Sequence, residues 1–361
     1  MPDLNFAWWN LQNFFDTDDD SISNDFSFTP ENGWTDEVFQ IKKANLATGM
    51  NLLWPNEGID LLAVCEIEKD ALLEDLLEEA GMNHLEVVLD ESGTSDLRGI
   101  DVAMAFNPNK LTVVSKTSHL VHLRYRTRDI FEVVFRINAT GEEFVVIAAH
   151  WPSRSRGQYE SEPLRIAVAE HIAYLVEDHV KVQPGEYEDL RTAVDLASVQ
   201  AKWESKVIVV GDFNDEPFDR SLIKHLRASR DLDKVKGGTN DIDKFEETSK
   251  YRQQDVFLYN ISTRLMNKSP LGNTGTYFLS GLRDGTTFTN RYQMLDQLVV
   301  SRGLLSGNGL EADLDSFDII DDPILATASG RPRPFRYKSE NPNFQPNGFS
   351  DHLPLKIKLS Y

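Results

Sequence analysis

Polar side chains that could do chemistry stand at the ends of short apolar runs in this sequence. Six sites share this placement: Asn10, Glu66, His150, Asp212 with Asn214, Asp296, and Asp351 with His352. A polar group just beyond a buried strand costs free energy unless it finds a partner. A placement repeated this often predicts that the side chains converge on one functional site.

The chemistry that uses such a set is metal-assisted attack of water on a phosphate ester. Mg²⁺ or Mn²⁺ prefers oxygen ligands, and carboxylates such as Glu66 and Asp351 suffice to hold it against a phosphate. A histidine supported by a carboxylate can take a proton from the attacking water. Neutral donors such as Asn10, Asn214 and a second histidine can stabilise charge on the phosphoryl oxygens.

The elements that must position these groups follow from the apolar pattern. Nine short runs have the length and composition of strands: 6–9, 59–65, 102–106, 111–114, 130–137, 144–149, 207–210, 295–300 and 355–359. One helix is capped by Thr35, one spans Asp70 to Ala80, and one begins at Ser161. Some of these strands follow one another closely in the sequence, and others are separated by a helix. This combination predicts mixed sheets covered by helices, in the α/β (α+β) class.

The domain organisation is predicted from the segments between these elements. Residues 181–204, 231–292 and 303–347 are polar or irregular and are predicted to be insertions or long loops. Polar strand-end residues lie on both sides of these segments, so we predict one elaborated domain over residues 1–361. The sequence lacks the glycine-rich loops of the common nucleotide-binding folds.

An excess of acidic residues restricts the class of partner. Lys plus Arg number 37 and Asp plus Glu number 58, which gives a formal net charge of −21. This charge argues against a broad basic face that binds nucleic acid. It is compatible with an enzyme in which a few local residues bind phosphate. Cys65 is the only cysteine, and the chain starts without a signal-like segment. A cytoplasmic location is therefore predicted, or a secreted one if a leader was removed, with no membrane span.

At these residues the sequence resembles the endonuclease/exonuclease/phosphatase superfamily, the DNase I-like metal-dependent phosphohydrolases. The resemblance covers nearly the whole chain, in the family's order: Trp9-Asn10, Val64 to Glu66, Ala149 to Arg154, Gly211 to Asp215, Met294 to Asp296 and Ser350 to Pro354. It implies a four-layer αββα sandwich. In that fold two mostly antiparallel sheets pack face to face with helices outside, and the site lies where strand-end loops meet.

The resemblance also implies a metal site. It makes Glu66 the main ligand of Mg²⁺ or Mn²⁺, with Asn10 beside it and Asp351 completing the metal shell. Many members have Leu-Gln-Glu where this chain has Val-Cys-Glu, and a second glutamate follows at Glu68. Glu66 is preferred because it ends the apolar run, and Glu68 is the alternative.

Catalytic roles follow from the same resemblance. His352 is implied to be the catalytic histidine, held by Asp296. His150 and Asn214 are implied to bind the phosphate, and Asp212 to orient the nucleophilic water. The number of metal ions and the identity of the general base stay open.

Certain bacterial members of the superfamily resemble the chain more closely. The shared segments are Trp9 to Asp16, Asp96 to Ala103, His150 to Arg154 and Ser161 to Arg165. By this resemblance Arg98 and Asp101 line the site, and Arg154 and Arg165 act as phosphate or carboxylate clamps. Bidentate geometry suits arginine to that task, although arginines at strand and helix ends are also ordinary surface groups.

Two enzymatic functions compete for this site. The leading hypothesis is a phosphodiesterase or nuclease acting on DNA or RNA, with basic clusters at 124–128 and 331–336 contacting the backbone. The alternative is a phosphatase or phosphodiesterase on a small phosphorylated substrate, such as a lipid head group, sugar phosphate or nucleotide, which the −21 charge favours. A binding protein that has lost catalysis is a third hypothesis, and the complete set of polar residues argues against it.

Several residues match no part of the family pattern. Six histidines are predicted to be structural or solvated: His84, His119, His122, His171, His179 and His225. No tyrosine matches the one that DNA-repair members place against the phosphate, which argues against specificity for abasic sites.

Overall fold

The computed structural model of the protein describes residues 2–18, 26–89, 99–123, 127–155, 157–182, 196–237, 254–266, 274–284, 287–338 and 345–361. The strands are β1 (Asp3–Phe14), β2 (Leu61–Ile67), β3 (Glu86–Val88), β4 (Asp101–Phe106), β5 (Leu111–His119), β6 (Ile130–Ile137), β7 (Glu143–His150), β8 (Val207–Asp212), β9 (Ala228–Ser229), β10 (Leu258–Asn260), β11 (Tyr277–Asp284), β12 (Thr287–Gln293), β13 (Asp296–Val300), β14 (Glu311–Ile319) and β15 (Leu355–Ser360). The α-helices are α1 (Asp36–Met50), α2 (Asp70–Glu79), α3 (Gln158–Val180), α4 (Leu196–Trp203), α5 (Leu232–Lys236) and α6 (Thr263–Met266).

Within the described residues, these strands form two large sheets and one hairpin. The first sheet has the order β14-β15-β1-β2-β4-β3, and the second has the order β5-β6-β7-β8-β13-β10-β9. Most neighbours are antiparallel, but three pairs are parallel: β1 with β2, β7 with β8, and β9 with β10. The carboxyl ends of parallel neighbours meet at one edge of a sheet, so each sheet brings two strand-end loops together there.

Strand alternation divides the core into two layers. Val146 and Ala148 of β7 belong to the large cluster between the sheets, whereas Val145, Ile147 and Ala149 belong to the cluster under α3. Because successive strand residues point to opposite faces, β7 must be apolar on both sides. By the same alternation, the side chain of His150 at the end of β7 points toward the space between the sheets.

A glycine permits the close approach of β7 and β8 near their carboxyl ends. A Cβ atom at Gly211 would overlap the carbonyl oxygen of Ala149. Any larger residue would therefore push apart the strands that carry the polar edge.

The four-layer α+β sandwich predicted from the sequence is confirmed, and each of the nine apolar runs overlaps a strand. Thr35 caps α1 through its side chain, as predicted, and α3 begins at Gln158, ahead of the predicted start at Ser161. The segments predicted to be insertions also contain strands, namely β10 to β12 and β14. β14 alternates buried and exposed residues instead of forming a continuous apolar run, so the search for apolar runs missed it. Among the described helices, none has the length and apolar character to cross a membrane.

Candidate active site

Three neighbouring strands of the second sheet carry the acid–base residues. His150 at the end of β7 pairs in register with Asp212 at the end of β8, and Asp212 pairs in register with Asp296 at the start of β13. All three are buried. Strand alternation puts their side chains on the face that looks toward the first sheet.

The first sheet contributes a carboxylate from a β-bulge. Asn10 of β1 pairs with Cys65 of β2, and the register then shifts at Glu66, whose φ of 61° is left-handed. The backbone N–H of Asn13 donates to Glu66 Oε2 over 2.8 Å, and Asn10 Nδ2 lies 3.3 Å from Glu66 Oε1. Bulges re-aim side chains at sheet edges, and this one directs the Glu66 carboxylate into the cleft.

The His352 ring is held from three sides. Its Nδ1 lies 2.6 Å from Oδ2 of Asp296, whose other oxygen accepts a 2.8 Å hydrogen bond from Trp8 Nε1. Trp9 Nε1 donates to the His352 carbonyl over 2.9 Å, and the Tyr277 ring lies against the imidazole with centroids 4.9 Å apart. These contacts leave Nε2 as the ring nitrogen that faces the cleft.

Asp212 lies at the centre of the group. Its Oδ2 is 3.1 Å from Asn10 Nδ2, 3.5 Å from His150 Nε2 and 3.8 Å from His352 Nε2, and its Oδ1 accepts the backbone N–H of Asn214 over 2.9 Å. Asn214 adopts a left-handed φ of 50° at the turn after β8, and its Nδ2 donates to the carbonyl of Trp151. One carboxylate thus faces two histidines and two asparagines.

Burial and charge shift the acid–base properties of this group. Burial raises the pKa of Asp212 to about 7, with the nearby Asp296 and Glu66 adding to the rise and His352 opposing it. Burial alone would lower the pKa of His352, but the negative charges of Asp296 and Asp212 hold it well above the usual value for histidine. A proton is therefore available on the imidazole at neutral pH, while Asp212 titrates near neutrality.

A divalent cation fits the acidic side of this cleft. Burial raises the pKa of Asp351, and the Glu66 carboxylate raises it further, so two carboxylates repel each other at the opening. Such a pair is suited to a hard cation. Asn10 lies beside Glu66, but its Nδ2 faces the carboxylate, so a ligand role requires the amide to turn.

A second set of potential ligand atoms lies deeper. Asp212, Asp296 and His352 offer ligand atoms within 4.8 Å of one another. Asp296 is fully buried and already shares a 2.6 Å hydrogen bond with His352. A cation between them would break that pair, so the Glu66 and Asp351 side fits a cation better.

The sequence-predicted arginines take different positions. Arg154 lines the cleft, where its guanidinium donates to the Asn214 carbonyl, to Asp215 over 2.9 Å and to Asp219 over 2.6 Å. Arg165 is fully buried and lies 2.8 Å from Asp215. The structure therefore brings both arginines to the Asp215 carboxylate, which they clamp beneath the turn after β8, and it keeps Arg165 away from the open cleft.

The other predicted site residues lie at the margin. Asp101 starts β4 opposite Ile67, at the same sheet edge as Glu66, but it does not line the cleft. Glu68 is buried, and its Oε2 accepts the backbone N–H of Asp16, so Glu66 is the glutamate that faces the site. Arg98 lies outside the described residues.

Some residues of the site were missed by sequence reasoning. Tyr277 lines the cleft, a cavity of about 700 Å³, beside Arg128, which belongs to the basic cluster singled out in the sequence. Trp8 lies two residues before Asn10 in β1, so strand alternation could have placed it on the same face. Lys42 of α1 is fully buried and donates to the Phe349 carbonyl over 2.6 Å, and burial lowers its pKa to about 7 against the opposing effect of Asp351. No local signal marks a helical lysine for such a position.

A protein-family comparison shows which family the chain belongs to. The model of the Endonuclease/Exonuclease/phosphatase family matches residues 5–269. The chain belongs to the endonuclease/exonuclease/phosphatase family. Members of this family hydrolyse phosphoesters and generally depend on divalent metals. No curated protein matches the chain by sequence.

Solved structures share the fold at low sequence identity. An endonuclease/exonuclease/phosphatase family protein from Bacteroides thetaiotaomicron has 15% identity and a TM-score of 0.52, over 99% of this chain and 97% of that chain. A mannosyl-6-phosphatase from the same organism has 15% identity and a TM-score of 0.50, over 99% and 100%. D. rerio TDP2, complexed with a single-strand DNA product, has 8% identity and a TM-score of 0.50, over 99% of each chain. These alignments include the region from Asp296 to His352, which lies beyond the family match.

Proposed function

We propose that the protein is a divalent-metal-dependent phosphodiesterase that cleaves DNA or RNA by in-line attack of water. The observation that carries this proposal is the trio of Asp212, His352 and Asp296. A buried carboxylate whose pKa is about 7 faces an imidazole whose pKa is raised, and a second carboxylate holds that imidazole in place. A base and an acid with pKa values near or above neutrality are what hydrolysis at neutral pH needs.

Asp212 and His352 take different roles, the first as proton acceptor and the second as hydrogen-bond donor. In its ionised form Asp212 accepts a proton from the attacking water, because its pKa lies near the working pH. His352, charged and fixed by Asp296, donates a hydrogen bond from Nε2 to a phosphoryl oxygen. His150 and Asn214 flank Asp212 and supply further donors to the phosphate.

Glu66 and Asp351 are the residues that would hold the divalent cation. When bound, the cation would neutralise developing charge on the phosphoryl oxygens. Glu66 is pre-positioned for this by its bulge and by the hydrogen bond from Asn13. Asn10 contacts both Glu66 and Asp212. It therefore fixes the spacing between the carboxylates that would hold the cation and the acid–base residues.

The lining of the cleft supports a polynucleotide substrate. Arg128 and Arg291 place positive charge in the cleft of a chain whose net charge is −21. Tyr277 and Leu279 of the β11–β12 hairpin add an aromatic and an apolar surface beside them. Cationic groups that follow a phosphate backbone next to a stacking surface are typical of single-strand binding.

A small phosphorylated substrate is the second candidate, and the arginine contacts favour it. Arg154 is held by Asp215 and Asp219, and Arg333 donates to the Ala326 carbonyl, so neither is arranged as a free contact for a long backbone. Arg124 and Arg126, in the first basic cluster, lie outside the described residues. The fold itself serves both classes, because its neighbours include a mannosyl-6-phosphatase and a protein holding single-strand DNA product.

A substrate panel decides between these candidates. Purified protein with Mg²⁺, Mn²⁺ or EDTA is assayed on plasmid DNA, single-strand DNA, RNA, bis-p-nitrophenyl phosphate and p-nitrophenyl phosphate. We expect metal-dependent polynucleotide cleavage whose rate falls with salt, and a weaker salt dependence in Arg291→Ala. Intact polynucleotides together with turnover of a nitrophenyl ester would move the assignment to the small substrate. Arg230→Ala, which removes a surface arginine that does not line the cleft, is the matched control.

A further inference from the structure

One face of α1 holds the loop that leads into β15. Lys42 Nζ donates to the Phe349 carbonyl over 2.6 Å. Asn45 Nδ2, one turn further along the helix, donates to the carbonyls of Pro346 and Gly348 over 2.9 and 2.8 Å. Because residues three apart in a helix lie on the same face, the two side chains act on one stretch of the loop. Three carbonyls of that stretch are thus bonded to α1.

The other end of this loop is fixed to the first sheet. The loop, residues 346–352, contains Asp351 and His352. Its Ser350 hydroxyl donates to the Asn10 carbonyl over 2.6 Å and accepts the backbone N–H of His352 over 3.1 Å. The Asp351 carboxylate therefore lies in a loop that is held on two sides. Loss of the α1 contacts would leave one of these two attachments and let that carboxylate shift relative to the cleft.

Lysine is a costly residue for this position of α1. The Lys42 side chain is fully buried, and its ammonium lies 5.1 Å from the centroid of the Phe335 ring. Burial of an ammonium costs free energy, which a hydrogen bond and an aromatic face offset only in part. A methionine would fill a similar volume without that cost, so packing alone does not explain the lysine.

The charge of Lys42 complements the carboxylates that would hold the cation. Asp351 and Glu66 oppose the effect of burial on the pKa of Lys42, and Lys42 in turn lowers the pKa of Asp351 against the effects of burial and of Glu66. The ammonium therefore lies near the acidic pair. Lys42 itself does not line the cleft, so its effect on a bound phosphate passes through the loop.

We propose that Lys42 and Asn45 are positioning residues that set the place of the Asp351 carboxylate in the cleft. This inference rests on the proposed function, because it gives both residues a task in that same reaction. Asn45 fixes the start of the loop through two carbonyls, and Lys42 fixes the carbonyl two residues before Asp351. The positive charge of Lys42 also offsets the repulsion between Asp351 and Glu66.

Steady-state hydrolysis of bis-p-nitrophenyl phosphate at a series of Mg²⁺ concentrations tests this role in the full chain. We expect Lys42→Met to lower kcat by about 10–10²-fold and to leave KM nearly unchanged, because the loop carries residues of the chemical step. Asn45→Ala alters no charge and should raise the Mg²⁺ concentration for half-maximal activity by about tenfold. A smaller folded fraction alone would lower the rate without moving that concentration.

Matched variants separate positioning from loss of a buried polar group. Lys206→Met removes another buried lysine, paired with Glu142 over 3.0 Å at the start of β8, and should retain kcat. Asn51→Ala removes an amide at the end of α1 that donates to the Ala80 carbonyl, and should retain the Mg²⁺ requirement. Equal losses in these controls would overturn the proposal. Folded Lys42→Met and Asn45→Ala proteins with the kcat and Mg²⁺ requirement of the unmodified protein would also overturn it.

Amide hydrogen exchange gives a readout that needs no turnover. The backbone N–H of Phe349 donates to the Arg333 carbonyl over 2.7 Å, and that of Leu353 donates to the Thr276 carbonyl over 2.8 Å. Exchange at both amides should be about tenfold faster in Lys42→Met, with exchange in β6 unchanged. Unchanged exchange at both amides would overturn the proposal. A protein that hydrolyses no phosphoester would overturn the proposed function, whereas the exchange measurement tests the α1 contacts by itself.

Discussion

Two regions of this protein combine histidine with carboxylate, and the pKa of the carboxylate is shifted in opposite directions in the two regions. In the cleft, Asp212 lies near Asp296 and Glu66, and its pKa is raised to about 7. On the helix side of the second sheet, Glu132 lies between His119 and His179, and its pKa is lowered to about 2. Residue types are alike in both regions, but the balance of neighbouring charge differs.

This difference shows that the surroundings of a carboxylate set its chemical role. Surplus negative charge and full burial make Asp212 a base that can exchange a proton near neutral pH. The neighbouring imidazoles of His119 and His179 keep Glu132 ionised, which suits it to ion pairing. Sequence alone shows which residues are present, and the strand register shows which charges face one another.

The largest expected effect is on kcat, through the Asp296 carboxylate in the cleft. Asp296→Asn keeps the shape of the residue but removes the charge that holds His352, so we expect kcat to fall by about 10²–10⁴. The measurement is steady-state hydrolysis of bis-p-nitrophenyl phosphate with Mg²⁺. Asp60→Asn alters another buried aspartate, bonded to Asn5 and Lys110, and should leave kcat of the folded protein unchanged. Equal losses in the two variants would show that Asp296 acts through stability alone.

The next effect concerns the cation side of the cleft. Glu66→Gln should raise the Mg²⁺ concentration for half-maximal activity by about tenfold or more, because it removes a carboxylate from the opening. Mg²⁺ titrations of the hydrolysis rate measure this shift. Glu68→Gln is the matched control, since Glu68 contacts the backbone of Asp16 and does not line the cleft. A larger shift in the control would make Glu68 the ligand.

The opposite pKa shifts predict opposite pH dependence of stability. The raised pKa of Asp212 makes a contribution to stability that is present below the ordinary carboxyl range and lost as pH rises through about 7. The free energy of unfolding of Asp212→Asn, relative to the unmodified protein, should therefore increase between pH 4 and 8 by on the order of 1–3 kcal/mol. Urea unfolding in EDTA measures it.

Glu132→Gln should show the reverse trend. The lowered pKa of Glu132 makes a contribution that is present above the ordinary carboxyl range and lost as pH falls toward about 2. The variant should thus be less stable by about 1 kcal/mol at pH 5 to 6, a modest value because solvent screens a partly exposed group, and this deficit should shrink toward pH 3.5. The same trend with pH in both variants would remove the contrast between the two regions.

The smallest effect comes from a residue that positions the acid–base pair. Trp8→Phe keeps an aromatic ring but removes the Nε1 donor to Asp296, so stability should fall by about 1–3 kcal/mol and kcat by up to about tenfold. Trp54→Phe removes an indole donor to the Phe6 carbonyl and should leave kcat unchanged. Comparison of kcat in the two variants, with stability measured in parallel, isolates the positioning effect.

Much of the fold could be predicted from residue pattern. Buried strands such as 207–210 are continuous apolar runs, so their positions follow from composition. The hairpin of β11 and β12 and the edge strand β14 could not be found in this way, because they lie among polar residues. Their pairing depends on the neighbouring strand and not on a local apolar run.

The candidate site was predictable where polar residues end buried strands. His150, Asp212 and Asp296 lie together as expected, because alternation and register follow from the strand pattern. Lys42 lies in a helix, and only tertiary packing brings it under the Asp351 loop. The histidine cluster around Glu132 was missed for the same reason, since its members come from β5, β6 and α3 and share no spacing.

The most direct test of the central claim is the hydrolysis of bis-p-nitrophenyl phosphate by the unmodified protein and by His352→Ala, each with Mg²⁺ and with EDTA. Circular dichroism verifies that the variant is folded, and His225→Ala is the control for removal of an imidazole. We predict turnover with Mg²⁺, none with EDTA, and a fall of about 10²–10⁴ in His352→Ala. Turnover that persists in EDTA, or a folded His352→Ala that matches the unmodified rate, would contradict the account.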